Sequence, residues 1–360
     1  MKKISIVIIL PSLAAGGAEK VTLNFLENLD NKIYDIYLIF LNTNGPLKLR
    51  TKKNVFDLKS VRLRNAFPKL INKIRIIKPD IIFSTFPHIT LPLLLMRKFL
   101  FRNSKIISRE PNMTDNSFRH SSFSLTLKIL HKLLLPEADK IIVNSKAMYK
   151  DLVNKGIETN KIKLIQNPVD HLNIRKIKHF IRFPGQGLRL VAMGRLVYQK
   201  GFDRVLPIIR NVRNAHLTIL GEGPEYENLL SMVSNLDIEE QIKFVGYKDN
   251  PYSYLAAADY FILPSRWEGL PNSALESLVL GTPVISFNEI EGLLDLFPNV
   301  EGNQLYLCKN NKEMISLLNK LSVRSDSDNL ILRNSLLSNF NSPENYSLKI
   351  SKIINELVCE

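Results

Sequence analysis

Pro264-Ser265-Arg266-Trp267-Glu268-Gly269-Leu270-Pro271-Asn272-Ser273-Ala274-Leu275-Glu276-Ser277 is the stretch on which the fold turns. Four apolar residues, Tyr260–Leu263, lead into it and read as a buried strand. Asn272–Leu280 follows with a helical pattern, and Asn272 or Ser273 is the expected cap. The segment is therefore a strand, a turn-rich loop and a helix whose first N–H groups point back toward the strand end. Such a helix start favours an anion. Glu268 on the loop and Glu276 in the first turns of the helix are poor ligands for phosphate, but they accept hydrogen bonds from neutral hydroxyls.

Outward from this stretch, strand and helix alternate in both directions. On the N-terminal side the expected strands are Ile4–Leu10, Tyr34–Leu41, Ile81–Ser84, Lys105–Ser108 and Lys140–Val143. Between them lie helices at Ala18–Leu29, Phe67–Ile77 and Phe118–Leu135, and Ser145 caps a further helix to Lys155. Nearer the central stretch the strands are Leu188–Met193, Leu217–Leu220 and Ile242–Val245, with helices at Phe202–Arg213, Glu225–Asn235 and Pro251–Ala258. Val284–Phe287 is the strand beyond it, and helices follow near Glu313–Leu321, Asn329–Asn339 and Glu344–Leu357. Alternation of this kind predicts an α/β fold of parallel sheets with helices on both faces. The pattern lapses at residues 168–187, where Pro184-Gly185-Gln186-Gly187 breaks the chain, so two doubly wound domains are expected, residues 1–180 and 181–360. Their ligand belongs at the carboxyl ends of the strands, in the crevice between the domains.

Length and composition agree with this. The chain has 360 residues, 45% hydrophobic and 23% charged, as in an ordinary globular protein of two domains. Two cysteines, Cys308 and Cys359, make no disulfide framework and favour a reducing, cytoplasmic setting. The run after Met1-Lys2-Lys3 is interrupted by Pro11-Ser12 and Gly16-Gly17, unlike a signal peptide, and Ile81–Phe101 carries Pro87, His88, Arg97 and Lys98, unlike a membrane span. The net charge of +15 is uneven: residues 1–180 hold 32 Lys and Arg against 13 Asp and Glu, whereas the rest balance at −4. A half with a balance of +19 points to an anionic partner: nucleic acid, a membrane surface or a phosphorylated substrate. No reading helix or aromatic-studded basic cluster is visible, which argues against nucleic acid.

Other motifs fall at strand ends. Gly16-Gly17 follows the first strand and opens a helix, where backbone N–H groups can approach a phosphate. Gly194-Arg195 ends the first strand of the second half, and Lys200-Gly201-Phe202-Asp203 follows shortly after. Arg195 and Lys200 are cations where phosphates bind. Asp326-Ser327-Asp328 imitates a D-x-D metal motif but sits in a polar loop, and no His/Cys cluster has metal-ligand spacing. Phe123, Leu127, Leu130 and Leu134 form one helical stripe with Lys128 and Lys132 beside it, which suits core packing or insertion at an anionic membrane.

The central stretch resembles the E-x7-E motif of glycosyltransferase family 4, retaining enzymes with the two-Rossmann GT-B fold. Further likenesses are Gly16-Gly17-Ala18-Glu19, Asn167-Pro168-Val169-Asp170, Gly194-Arg195 through Asp203, Gly221-Glu222-Gly223-Pro224, Phe244-Val245-Gly246 and Gly281-Thr282-Pro283-Val284. They run in the family's order over most of residues 4–287. The resemblance implies that Arg195 and Lys200 hold the diphosphate of a nucleotide-sugar donor and that Glu268 contacts the transferred sugar. It implies that Gly269, Leu270, Asn272 and Ser273 help hold the donor, that Glu276 binds ribose, and that Gly16 and Gly17 approach the phosphates. It further implies a lipid-linked saccharide acceptor at the inner face of the membrane, with no cofactor and no metal.

There are departures as well. Where the family carries a His near the reacting carbon, this chain reads Ser108-Arg109-Glu110-Pro111-Asn112, and the nearest histidines are His88 and His120. Acceptor-side candidates are accordingly His88, Arg109, Glu110 and Asn112. After Val284 the family's glycine-rich loop is matched loosely by Asn288–Gly292. A nucleotide-sugar epimerase on the same fold is the alternative enzyme.

Overall fold

The computed structural model describes residues 2–14, 16–50, 54–113, 118, 124–176, 181, 183, 187–295, 304–324 and 341–359. The chain forms two compact units: Met1–Pro168 with Asn341–Glu360, and Val169–Phe340.

The first unit is built on a seven-stranded parallel sheet. Its strands are β1 (Ile4–Leu10), β2 (Tyr34–Phe40), β3 (Val55–Asp57), β4 (Ile81–Thr85), β5 (Lys105–Arg109), β6 (Lys140–Val143) and β7 (Ile162–Leu164), in the spatial order β3-β2-β1-β4-β5-β6-β7. β1 lies inside the sheet, with Ile6 opposite both Ile36 and Ile81. Helices cover both faces, so Ile6 through Ile9 are all fully buried. That is why β1 reads as an unbroken apolar run and not as an alternation. Its side chains still alternate in destination. Ile6, Ile8 and Leu10 join a core with α1 (Gly17–Glu27) and the C-terminal helix Pro343–Cys359, while Val7 and Ile9 join one with α2 (Leu63–Ile77), α3 (Pro87–Leu100) and the helix Lys146–Asn154. Between α3 and that last helix lies α4 (Ser124–Leu134), which packs on α3. Helix Lys146–Asn154, α5, begins as the sequence indicates: the Ser145 hydroxyl accepts the Met148 N–H at 3.2 Å.

The second unit starts with the single turn α6 (His171–Ile174) and holds a six-stranded parallel sheet. Its strands are β8 (Leu188–Met193), β9 (Ala215–Leu220), β10 (Ile242–Phe244), β11 (Tyr260–Leu263), β12 (Val284–Phe287) and β13 (Leu305–Cys308), ordered β10-β9-β8-β11-β12-β13. α7 (Phe202–Arg210) and α8 (Tyr226–Asn235) cover one face. α9 (Tyr252–Ala257) and α10 (Asn272–Val279) cover the other. α11 (Glu291–Leu294) follows β12, and α12 (Asn311–Leu318) packs on α7. α7 buries Phe202, Val205, Leu206, Ile208 and Ile209, a stripe at helical spacing worth about 1.5–3 kcal/mol for each fully buried aliphatic or aromatic side chain.

The division between units falls at Pro168, short of the 180 expected, because Val169 and Ile174 are buried in the core of the second unit. The closing helix, α13 (Pro343–Cys359), belongs to the first. Tyr346 sets its ring edge-on to Phe25 at 6.4 Å, and Ser347 Oγ donates to the Phe25 carbonyl at 3.3 Å. The helix expected at Asn329–Asn339 and the Asp326/Asp328 loop lie outside the described residues. Among the described residues no helix is long and apolar enough to cross a membrane.

Candidate functional site

Both sheets reverse strand order beside their first strand, the position at which a doubly wound sheet opens a ligand crevice beyond its carboxyl edge. In the second unit the reversal lies between β8 and β11. Arg195 follows β8 and is exposed; among the described residues its side chain has no ion-pair partner. Lys200 ends a 3-10 turn at Tyr198–Lys200, and Gly201 carries the chain from that turn into α7 at φ +66°. A Cβ on Gly201 would lie 2.2 Å from the Pro264 carbonyl oxygen. Glycine is thus what lets the Lys200 turn sit directly against the end of β11.

Lys200 Nζ consequently donates a hydrogen bond to Glu268 Oε1. Ser265 Oγ donates to the same oxygen at 2.9 Å. Glu268 is 8% exposed, so its charge rests on these partners and not on bulk water. The loop between them is braced on the outside. Arg266 makes two hydrogen bonds to the Asp203 carboxylate, at 2.8 and 2.6 Å, and lies 3.8 Å over the Tyr198 ring. Burial raises the Asp203 pKa, but the Arg266 hydrogen bonds and charge outweigh it and hold Asp203 below the usual carboxylate value. Gln199 ties in the backbone: its carbonyl accepts the Arg266 N–H at 2.8 Å and its side-chain amide donates to the Trp267 carbonyl at 3.0 Å.

α10 starts at Asn272, and Pro271 holds the cap position with no side-chain hydrogen bond. Neither Asn272 nor Ser273 is therefore the cap expected from the sequence. Pro271 ends the loop, its fixed φ suits a helix entry, and both residues fall within the first turn. Glu276, 7% exposed, lies one turn further on, and the Tyr252 hydroxyl lies 3.4 Å from its Oε1. Gly269 and Leu270 are buried, and a Cβ on Gly292 would lie 1.7 Å from the Gly269 carbonyl oxygen. The Asn288–Gly292 loop thus meets the Glu268–Leu270 loop backbone to backbone. Arg204 was not singled out from the sequence. It bonds Glu289 of that loop at 2.9 Å and reaches the Ser265 carbonyl at 3.4 Å. With Phe287, Lys309 and Lys312 it also lines a cavity of about 510 Å³ at the carboxyl ends of β12 and β13. Among the described residues no group of three His, Cys, Asp or Glu could hold a metal.

The first unit handles its candidates differently. Gly16 caps α1 in extended conformation, and a Cβ there would lie 2.1 Å from the Glu19 carboxylate. The acidic side chain thus already lies over the helix start. Arg109 and Glu110, expected beside the acceptor, are 2% and 1% exposed. Arg109 donates to Asn167 Oδ1 at 2.9 Å and to the Tyr346 hydroxyl at 3.1 Å, while Glu110 accepts from Ser108 Oγ at 2.8 Å and faces His131 at 3.6 Å. Both are internal ties, so the acceptor-side expectation for them is corrected. The strand end had been read as a loop, but β5 extends through Arg109 and turns its side chain inward. Asn112 is half-buried, and His120 lies outside the described residues. His88 is exposed in the first turn of α3, just after Phe86. Phe86 has φ +83°, a conformation costing about 1–3 kcal/mol that clusters at functional sites.

Comparison with known proteins now fits this geometry. The glycosyltransferase family 4 model matches residues 15–171 and the glycosyl transferases group 1 model matches residues 173–329. The chain belongs to the family 4 glycosyltransferases of GT-B fold. It is 29% identical to the N-acetylgalactosamine-N,N'-diacetylbacillosaminyl-diphospho-undecaprenol 4-alpha-N-acetylgalactosaminyltransferase of Campylobacter jejuni, over 87% of this chain and 88% of that enzyme. It is 26% identical to the O-antigen biosynthesis glycosyltransferase WclY of Escherichia coli, over 78% of this chain and 79% of that one. The fold is shared with Anabaena HepE, solved with UDP and glucose, at TM-score 0.74 and 15% identity over 98% of this chain and 100% of that one. The sucrose-phosphate synthase of Thermosynechococcus elongatus aligns at TM-score 0.80 and 16% identity over 99% and 100%. The epimerase alternative has no support among these comparisons.

Proposed function

We propose that this glycosyltransferase moves a hexose or N-acetylhexosamine from a nucleotide-diphosphate sugar, a UDP-sugar before GDP-mannose, to a lipid-linked saccharide. The reaction retains configuration and serves cell-surface polysaccharide assembly at the inner face of the membrane. The observation that carries this reading is the polar cluster at the second unit's strand reversal: exposed Arg195, Lys200 bound to the buried Glu268, and Ser265 beside them. The Campylobacter relative, named for an undecaprenol-diphosphate acceptor, and HepE, solved with UDP and glucose, support it from outside the chain.

The chemistry follows from the charges. An ammonium has three donors, and Glu268 occupies one of those on Lys200. The others, with the Arg195 guanidinium, are directed to the donor diphosphate. Negative charge grows there as the bond from C1 to the diphosphate oxygen breaks, and fixed cations lower the energy of that state. The acceptor hydroxyl oxygen bonds to C1 from the face the diphosphate leaves, and its proton passes to the departing phosphate oxygen. Glu268 uses Oε1 for Lys200 and Ser265, so Oε2 is its acceptor for a sugar hydroxyl. Glu276 takes the ribose hydroxyls in the same way, beside the N–H groups of Asn272 and Ser273. Gly16 and Gly17 approach the phosphates once the Glu19 carboxylate gives way. His88 and Asn112 remain the acceptor-side groups of the first unit.

The test is ligand-induced thermal stabilisation across a panel of UDP- and GDP-sugars, followed by transfer to a short-chain diphospholipid saccharide. One donor class should raise the melting temperature in proportion to the logarithm of its concentration. Stabilisation by none of the panel would remove the donor assignment, and a product of inverted anomeric configuration would remove the mechanism.

A further inference from the structure

The helix stripe read from the sequence as Phe123, Leu127, Leu130 and Leu134 is not the outward one. Leu127, Leu130 and Leu134 are half-buried, His131 is buried between them, and Phe123 lies outside the described residues. α4 instead leaves a different row in solvent: Leu125 is 72%, Ile129 50% and Leu133 65% exposed. Their spacing of four puts them on one face. α3, which packs on α4, exposes Leu95 at 55% and Phe99 at 80%. The two ridges share an end. Arg97 at the close of α3 pairs with Asp139 at 2.8 Å, and Lys98 pairs with Glu137 at 3.5 Å, both just beyond α4. Phe99 and Leu133 are thus in the last turns of two helices whose ends are tied together.

We propose that this α3–α4 face is the surface by which the enzyme docks on an anionic lipid bilayer, the five apolar side chains entering the headgroup boundary. The inference rests on the reading of a lipid-linked acceptor given above. Charge selects this occupant over a soluble apolar partner. Exposed Lys98, Arg102 and Lys132 and half-buried Lys128 accompany the apolar residues, and Glu137, already paired with Lys98, is the acidic neighbour. Shallow apolar insertion with a basic rim is the pattern of a helix lying in an anionic interface. The mean hydropathy of the chain is near zero, and each exposed side chain can leave water without unfolding anything.

The experiment is sedimentation of the full chain with phosphatidylcholine vesicles, with and without phosphatidylglycerol, none containing a saccharide lipid. The chain should bind the anionic vesicles, and salt should weaken but not abolish binding, because apolar insertion is not screened. Phe99→Glu with Leu133→Glu should reduce binding about tenfold or more while the melting temperature stays unchanged. Leu348→Glu, at an exposed apolar position of α13, should leave binding unchanged. Transfer to a water-soluble acceptor should be the same in the double variant, which separates loss of the surface from failure of the acceptor reading. No binding to anionic vesicles at low salt, or equal loss with Leu348→Glu, overturns the proposal. So does a wild-type dimer that the double variant dissolves without any change in vesicle binding, which would assign the face to a second copy.

Discussion

The two sheets reverse strand order at equivalent places, between β1 and β4 in the first unit and between β8 and β11 in the second, and the side chains there differ. Beyond β8 and β11 a cation stands exposed and a second cation is joined to a carboxylate. Beyond β4 stand a strained Phe86 and an exposed His88, while the charges at the end of the adjacent β5, Arg109 and Glu110, are turned into the interior. One topology has thus produced a place where charge is available to a ligand and another where charge fastens the unit together. Topology locates a crevice; residues decide its use.

Removing charge from the second reversal should give the largest effect. Lys200→Met is expected to lower kcat by about 10²–10³, as for other donors aimed at a developing negative charge. It also strands the carboxylate of Glu268, costing about 1–3 kcal/mol of stability. Lys200→Met with Glu268→Gln should recover the stability and not the turnover. Denaturant titration and initial rates on the single and double variants separate the two roles. Recovery of both would make the pair a fold element, like Arg109, and erase the contrast.

Glu276→Ala should come next. Its hydroxyl ligands are charge-assisted, at about 1.5–3 kcal/mol, and titration calorimetry with the nucleotide sugar should show that loss in affinity. A folded variant with unchanged affinity would take Glu276 out of the site. His88→Ala should have a smaller effect, about tenfold, on the KM for acceptor, with donor affinity unchanged. A change in donor affinity alone would show that the first reversal serves the donor and not the acceptor.

The sequence shows the sheets well where strands are buried on both faces. β1, β6, β8, β11 and β12 were readable to the residue, because a run such as Ile4–Leu10 has no other sensible home. The edge strands β3, β7 and β13 were missed. The first two are three residues long, too short for any period, and their hydrogen bonds come from neighbours distant in sequence. α3 was hidden by Pro87 and Pro92 and by its apolar character all round. At the site, Lys200, Glu268 and Glu276 were found by spacing within one local motif, whereas Arg204 was not, since its partners Ser265 and Glu289 are far along the chain. Arg109 shows the opposite failure. A charged residue at a strand end reads as a site residue, and only the packing of α13, far along the chain, reveals an internal partner in Tyr346.

Arg109→Met therefore carries the smallest expected effect on the reaction and the sharpest test of the comparison. The side chain is 2% exposed, joins the end of β5 to Asn167 and Tyr346, and leaves Nη1 buried without a hydrogen bond. Methionine fills a similar volume with no charge to desolvate, so part of the loss is offset. The Asn167 and Tyr346 oxygens lose their donors, each a net contribution of about 0.5–1.5 kcal/mol. The sum is a destabilisation of about 1–3 kcal/mol, visible as a shift of the denaturation midpoint with unchanged slope. Arg109→Lys should recover little of it, because one ammonium cannot reproduce two separated guanidinium bonds. Donor affinity and turnover on a soluble acceptor should stay within about twofold at temperatures where the variant is folded, since single surface-neutral effects are of that size. If turnover instead falls with stability intact, Arg109 reaches the substrate in a conformation other than this one. The first strand reversal would then be a site of charge chemistry like the second.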